Sequence, residues 1–374
     1  MRIAFISDGD PKNSNLWSGT IKHMYEMLCK VHNVIIIDVS KKSKMIQKIN
    51  RVVTKLTKVI CKKKYSGIYS VLNSIYESRM TRKELKKFSN IDCIFCPSKS
   101  SSIAFLDTDI PIIYLCDATF GQLVDYYDYL SNLSNINRYE GEIIEKQAIK
   151  KSTYIICASD WTKESVVNKY NKDEKTIFVI PFGANMNFEA KKRNLDSPIN
   201  ILFCGVDWER KGGNTALDTV KELKRRNYDV ELNLVGCKSP HEIKENYIHV
   251  IGFLDKNNNE EKMILKRIYE KTHFLLLPTN AECAGIVFAE SSALGIPSIT
   301  YDTGGVGSYV INNVNGVKLN RNSSYIEFAN VIEEYLKDKN KYSILSETAV
   351  NLYKEKLNWD VWLELTNRVF NKIN

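Results

Sequence analysis

The stretch "HFLLLPTNAECAGIVFAESSALGIPSITYDTGG", residues 273–305, sets two carboxylates, Glu282 and Glu290, into mostly apolar surroundings with seven residues between them. The run through Pro278 reads as a strand and "NAECA" as a loop. A helix is expected from about Gly285 to about Leu294, where Gly295 and Pro297 stop it. Glu282 then lies in the loop, while Glu290 lies in the helix on the face of Ile286, Val287, Ala293 and Leu294. An ion on that face is costly without a partner, which is either a cation or backbone donor of the core or the hydroxyls of a ligand along the helix. Amides at the helix start, around Ala284, Gly285 and Ile286, offer donors and positive potential to an anion such as a diphosphate, and Gly285 lets it come close. A second such element is "ILFCGVDWERKGG", residues 201–213, where Arg210 and Lys211 follow a strand and precede Gly212, Gly213 and a helix. Phosphate sites recur in that context, although a basic pair in a turn is also an ordinary solvated surface.

Both motifs need strands to aim them. In the first half "RIAFISD", "NVIIIDV", "DCIFCPS", "PIIYLCD", "TYIICAS" and "TIFVIPF" are short β-rich runs separated by helical stretches. In the second, "NILFCGV", "VELNLVG", "IHVIGFL", "HFLLLPT", "PSITYDT" and "NGVKLN" repeat the rhythm. Apolar runs alternating with helices predict mostly parallel sheets covered on both faces. The fold class is therefore α/β, two Rossmann-like doubly wound domains facing a cleft, with residues 1–185 on one side and 186–374 on the other. The hinge is expected near residues 184–198, through the polar link "NFEAKKRNLDSP", and the last helix is open to packing back on the first domain. Ligands of such sheets bind beyond the carboxyl ends of the strands.

A chain of 374 residues with 44% hydrophobic content has material for two cores. The net charge of +9 is uneven: residues 1–185 carry 28 basic and 19 acidic side chains, residues 186–374 carry 25 of each. Much of the excess lies in "KKSKMIQKINRVVTKLTKVICKKK", residues 41–64, with ten Lys or Arg and no acid. Within it Met45, Ile46, Ile49, Val52, Val53, Leu56, Val59 and Ile60 recur at spacings of three and four, which predicts an amphipathic helix. Such a helix either lies on an anionic membrane surface or packs its apolar stripe inward and solvates its lysines. Nucleic acid is not an expected partner, because no recognition module accompanies the charge. Nine cysteines without framework spacing fit a reducing compartment, and "CIFC" at Cys93 and Cys96 lies in an apolar strand rather than at a redox or zinc site. Met1 leads straight into "RIAFIS", with no leader and no apolar run of bilayer length, so the chain is expected in the cytoplasm, or peripherally on the inner face of the cell membrane.

"AECAGIVFAESSALGIPSITYDTGG" resembles the acid-x7-acid signature of the retaining glycosyltransferases of family four, which have the GT-B fold. The similarity extends over most of the chain: "ILFCGVDWERKGG" looks like the family's donor-diphosphate turn, and "ICASDWTKESVVNKY" and "VIPFGANM" like its interdomain segments. The resemblance implies transfer of a sugar from a nucleotide diphosphate sugar, with retention and no obligatory metal or other cofactor, to a glycan or lipid-linked acceptor in surface polysaccharide or glycolipid synthesis. By position Glu290 would hold the ribose hydroxyls, Glu282 would face the donor sugar, and Arg210 and Lys211 would neutralise the departing diphosphate. Gly205, Val206, Ala284, Gly285 and Ile286 would border the donor. The loop "DGDPKNSNLWSGTIKHMYEML", with Gly19 and Thr20 opening a helix, resembles the family's glycine-containing loop. Breaking a glycosyl–phosphate bond leaves negative charge on the leaving oxygens and positive charge on the ring, so cations at the first and an acid near the second lower the barrier.

The chain departs from the pattern at two places. Val206 stands where family members often carry an arginine, which passes the basic duty to Arg210. Asp117 stands where many have a histidine; it contacts the sugar or orients the acceptor, or else caps the following turn. His23 and His273 read as structural. "LDTDIP", with Asp107 and Asp109, has the spacing of a metal-binding transferase of another fold, yet falls in a loop before "PIIYLC". No G-x-G-x-x-G follows the first strand, which argues against a dehydrogenase. A non-catalytic nucleotide or sugar binder of the same fold is the alternative reading.

Overall fold

The computed structural model describes residues 1–186, 188–189, 192–240 and 242–373. The chain forms two compact units, Met1–Ile180 with Leu363–Asn374, and Pro181–Trp362. In the first, β1 (Arg2–Ser7), β2 (Asn33–Asp38), β3 (Cys93–Pro97), β4 (Ile112–Cys116), β5 (Tyr154–Cys157) and β6 (Ile177–Val179) make one sheet in the order β2-β1-β3-β4-β5-β6. Every pairing in it is parallel. β3 and β4 are buried along their whole length, the pattern of strands covered on both faces. Cys93 and Cys96 are core residues of β3, and burial pushes the Cys93 thiol up to about 12.

The second sheet comprises β7 (Ile199–Cys204), β8 (Val230–Val235), β9 (Ile248–Gly252), β10 (Phe274–Leu277), β11 (Ser298–Tyr301) and β12 (Gly316–Leu319), ordered β12-β11-β10-β7-β8-β9 and again parallel. Counted from β7 this is the 3-2-1-4-5-6 order of the doubly wound nucleotide-binding fold. His273, just before β10, is structural here: its Nδ1 accepts the Asn200 amide at 2.9 Å and its carbonyl accepts the Tyr342 hydroxyl at 2.9 Å.

The boundaries differ from the sequence expectation of 1–185 and 186–374. The segment after β6 is already core of the second unit, because the Phe182 amide donates to the Tyr309 hydroxyl at 2.9 Å and the Ala184 amide to the Leu357 carbonyl at 3.2 Å. Within the expected hinge, Asn187, Ala190 and Lys191 lie outside the described residues. Arg193, however, is docked, its Nε on the Leu294 carbonyl at 2.9 Å and its Nη2 on the Tyr269 carbonyl at 3.1 Å. At the other end the helix Trp359–Phe370 delivers its last turns to the first unit, where Phe370 meets Phe95 and His32 and Asn367 meets His32 at 2.8 Å.

The basic segment forms the helix Lys44–Cys61, capped by Ser43, with its apolar stripe turned outward. Ile46 and Thr57 are its buried residues, whereas Met45, Ile49, Val52, Leu56, Val59 and Ile60 are exposed. Packing of that stripe inward, one of the two readings of the sequence, is not what the chain does. Among the described residues no helix is long and apolar enough to cross a membrane.

Candidate active site

The second sheet reverses its winding between β7 and β10, and the loops leaving two such strands diverge to form the usual ligand crevice of an open α/β sheet. Both motifs of the sequence sit there. After β7 the chain runs through Gly205 and the exposed Val206 into a one-turn helix, Trp208–Lys211, in place of the expected turn. Asp207 caps it, accepting the Arg210 amide at 3.1 Å, with its other carboxylate oxygen 3.5 Å from Arg210 Nε. Arg210 is thereby aimed across to the β10 loop, where Nη1 donates to the Ala281 carbonyl at 2.9 Å. The Asn280 amide returns a bond to the Arg210 carbonyl at 2.7 Å. Gly212 makes this approach possible: its φ is +75°, and a Cβ there would lie 2.0 Å from the Pro278 carbonyl oxygen.

Lys211 and Glu282 form an ion pair between the two loops, both side chains nearly buried. Gly205 passes beneath the lysine, for a Cβ at that position would lie 2.7 Å from Lys211 Cγ. The loop after β11 braces the acid from behind, its Gly305 amide bonded to the Glu282 carbonyl at 2.9 Å and Thr303 Oγ1 to the Asn280 carbonyl at 3.2 Å.

Glu290 lies in the helix Ile286–Ala293 as expected, at 2% exposure. Its partner is a lysine and a tyrosine: Lys256 Nζ stands 2.8 Å from Oε1 and the Tyr269 hydroxyl donates to Oε2 at 2.9 Å. Burial works to depress the Lys256 ammonium, but the Glu290 charge and hydrogen bond outweigh it and hold the lysine above its ordinary value. At the helix start the Ile286 amide is already used, bonded to the Ala284 carbonyl at 3.1 Å. The amides of Ala284 and Gly285 have no hydrogen-bond partner among the described residues. The missing side chain at Gly285 is space for Phe288, whose ring a Cβ would meet at 2.1 Å, so this glycine serves the helix itself as well as any approaching anion.

Gly19, Thr20 and Asp117 belong to the first unit. Gly19, with φ +88°, is the N-cap of the helix Thr20–Cys29. Asp117 follows β4, and its carbonyl accepts the Thr162 hydroxyl. Capping of the next turn falls to Thr119 instead, through a reciprocal box with Gln122. Asp107 pairs with Arg82 at 2.9 Å, and among the described residues no group of three His, Cys, Asp or Glu is arranged to hold a metal ion. Sequence reasoning missed Asp207, Lys256 and Tyr269. Asp207 had a signal, an Asp three residues before Arg210 at a helix start.

Residues 185–351, which hold the whole cluster, match the family model for glycosyl transferases group 1. Over these residues the chain is similar to the group 1 glycosyl transferases. Curated relatives include the D-inositol 3-phosphate glycosyltransferase of Corynebacterium diphtheriae, 24% identical over an alignment of 241 residues, with 56% of either chain covered. Another is the capsular polysaccharide biosynthesis glycosyltransferase CapM of Staphylococcus aureus, 23% identical over 243 residues, 60% of this chain and 63% of the relative. The matches thus span between about half and two thirds of these relatives. Anabaena HepE in complex with UDP superposes with a TM-score of 0.62 over 100% of both chains at 14% identity, and this likeness shows the GT-B fold.

Proposed function

We propose that the chain transfers a sugar from a nucleoside diphosphate sugar to a glycan or lipid-linked acceptor, in the cytoplasm, with retention of configuration and without an obligatory metal. The observation that carries this reading is the pairing of Lys211 with Glu282 at the point where the second sheet changes direction, with Arg210 beside them on the same two loops. In the proposed reaction the donor diphosphate takes Lys211 away from Glu282, and Arg210 and Lys211 neutralise the charge that builds on the leaving oxygens. Glu282, relieved of its cation, faces the sugar as positive charge develops on the ring. The Ala284 and Gly285 amides receive a phosphate oxygen at the helix start. Glu290 holds the ribose hydroxyls, which displace Lys256 from Oε1. A product in a surface polysaccharide or glycolipid is supported by the similarity to CapM, a capsular polysaccharide biosynthesis glycosyltransferase, and a uridine nucleotide by the HepE complex.

A thermal-shift panel of UDP, GDP, ADP and CMP tests the donor reading. The cognate nucleotide at a hundredfold its Kd adds about 2.7 kcal/mol, a rise of several degrees in Tm. No shift with any of the four would remove the nucleotide site. With the donor known, Arg210→Ala and Lys211→Ala should each lower turnover roughly a hundredfold in a folded protein, unaffected by chelator, with the product anomer read by NMR. Unchanged turnover in both variants would sink their assignment to the leaving group.

A further inference from the structure

The helix Lys44–Cys61 presents three flanks roughly 120° apart, as its 100° step per residue requires. One, formed by Ile46, Asn50, Val53, Thr54 and Thr57, faces the protein. It is the more polar of the two non-basic flanks. Asn50 Nδ2 donates to the Gly67 carbonyl at 3.4 Å, Thr54 Oγ1 to the Tyr65 carbonyl at 3.2 Å and Thr57 Oγ1 to the Val53 carbonyl at 2.9 Å. The second flank carries Met45, Ile49, Val52, Leu56, Val59 and Ile60 and faces outward, with Val59 and Ile60 exposed by 79% and 74%. The third carries Lys44, Lys48, Arg51, Lys55 and Lys58, all exposed and none in an ion pair among the described residues. An ordinary surface helix gives its apolar stripe to the core and its polar face to water. This one gives the protein its threonines and offers water its aliphatic side chains.

The segments tied to the helix carry exposed apolar side chains of their own. Ile68 and Leu72, exposed by 65% and 50%, follow on the segment that Asn50 holds. At the other end of the helix, the Lys64 amide donates to the Asn132 carbonyl at 2.8 Å and Lys64 Nζ to the Asp128 carbonyl at 2.8 Å, which ties on the loop bearing the exposed Tyr129. An exposed apolar stripe beside a row of unpaired cations is complementary to one kind of partner, a surface that is apolar below and anionic above.

We propose that this flank is an interfacial docking surface for an anionic lipid bilayer: Val52, Leu56, Val59 and Ile60 enter the acyl boundary while the lysine row lies along the headgroups. The proposal is independent of the donor chemistry, since every residue in it lies in the first unit. The test is co-sedimentation of the full chain with vesicles of phosphatidylcholine alone and with about a third phosphatidylglycerol, at low and at physiological salt. Wild type should bind the anionic vesicles and lose affinity as salt rises. The fourfold variant Val52→Ser, Leu56→Ser, Val59→Ser, Ile60→Ser should lose at least ~tenfold, as should Lys48→Gln, Arg51→Gln, Lys55→Gln, Lys58→Gln, with Tm little changed because these side chains are exposed. If the fourfold variant melts early, Val59→Ser with Ile60→Ser on the last turn carries the same comparison. Wild type that ignores anionic vesicles at low salt overturns the proposal. Apolar variants that bind as well as wild type also overturn it, by reducing the contact to surface charge. Light scattering that finds a dimer dissolved by the apolar substitutions overturns it in favour of a second copy of the chain.

Discussion

Lys256 reaches Glu290 from the loop behind β9, its Nζ 2.8 Å from Oε1, so the buried helix carboxylate is paired with a cation of the protein's own. Glu282 is in the same condition through Lys211. The two acids are therefore held by different lysines from different loops, one following β9 and one following β7.

Separate lysines give separable phenotypes. Glu290→Ala should weaken nucleoside diphosphate binding by about tenfold or more, the scale of lost charged hydrogen bonds to two hydroxyls. Glu282→Ala should keep nucleotide affinity within about twofold and reduce transfer roughly a hundredfold, since its proposed duty is toward the sugar. Titration calorimetry with the nucleoside diphosphate, alongside turnover, separates the two. Equal losses of binding would mean that the acids form one structural unit.

Gly212 lies where the two site loops cross, and its left-handed backbone and the Pro278 carbonyl leave no room for a methyl group. Gly212→Ala should cost at least about 2 kcal/mol through strain and overlap, and should loosen the Arg210–Ala281 contact. Chemical denaturation reads the first effect and nucleotide affinity the second. A variant as stable as wild type would show that the loops have slack at this crossing.

The twelve strands named above were legible because each is a short run rich in apolar residues bounded by helical or polar stretches, and the basic helix because its stripe repeats at three and four residues. Neither pattern shows which neighbour a face meets. The stripe of Lys44–Cys61 looks the same in sequence whether it turns in or out, and the structure settles this through Asn50 and Thr54 on its inner flank, which bond to the Gly67 and Tyr65 carbonyls. Likewise Glu290 announces that it needs a partner, yet Lys256 stands 34 residues earlier in a loop with no periodicity. The boundary was read five residues late because Phe182 and Ala184 continue an apolar strand pattern while bonding to residues beyond position 300.

Glu145, in the helix Asn135–Lys151, is buried beneath β4, where the Tyr114 hydroxyl bonds to it at 3.2 Å. Burial pushes its carboxyl up to about 7 against that bond and one from Ser100. A folded pKa above the unfolded value of about 4.3 contributes stability in full below that value and loses it as pH rises through about 7. Glu145→Gln keeps the shape without the titration. It should match wild type near pH 4 and exceed it at pH 8 by roughly 3 kcal/mol, some 6–12 °C in Tm. Tm curves for the two proteins that run parallel from pH 4 to pH 8 would refute the assignment.

The seat of Phe370 against Phe95 and His32 fixes an order of events during synthesis. Strands β1 to β6 leave the ribosome first, but the helix end that completes their unit is translated after all of Pro181–Trp362. The second unit has its full sequence while the first still has an open aromatic face on Phe95. A premature stop between residues 358 and 370 would therefore spare most of the site-bearing half and damage the half made earliest, leaving a nascent chain that is sticky at its oldest end.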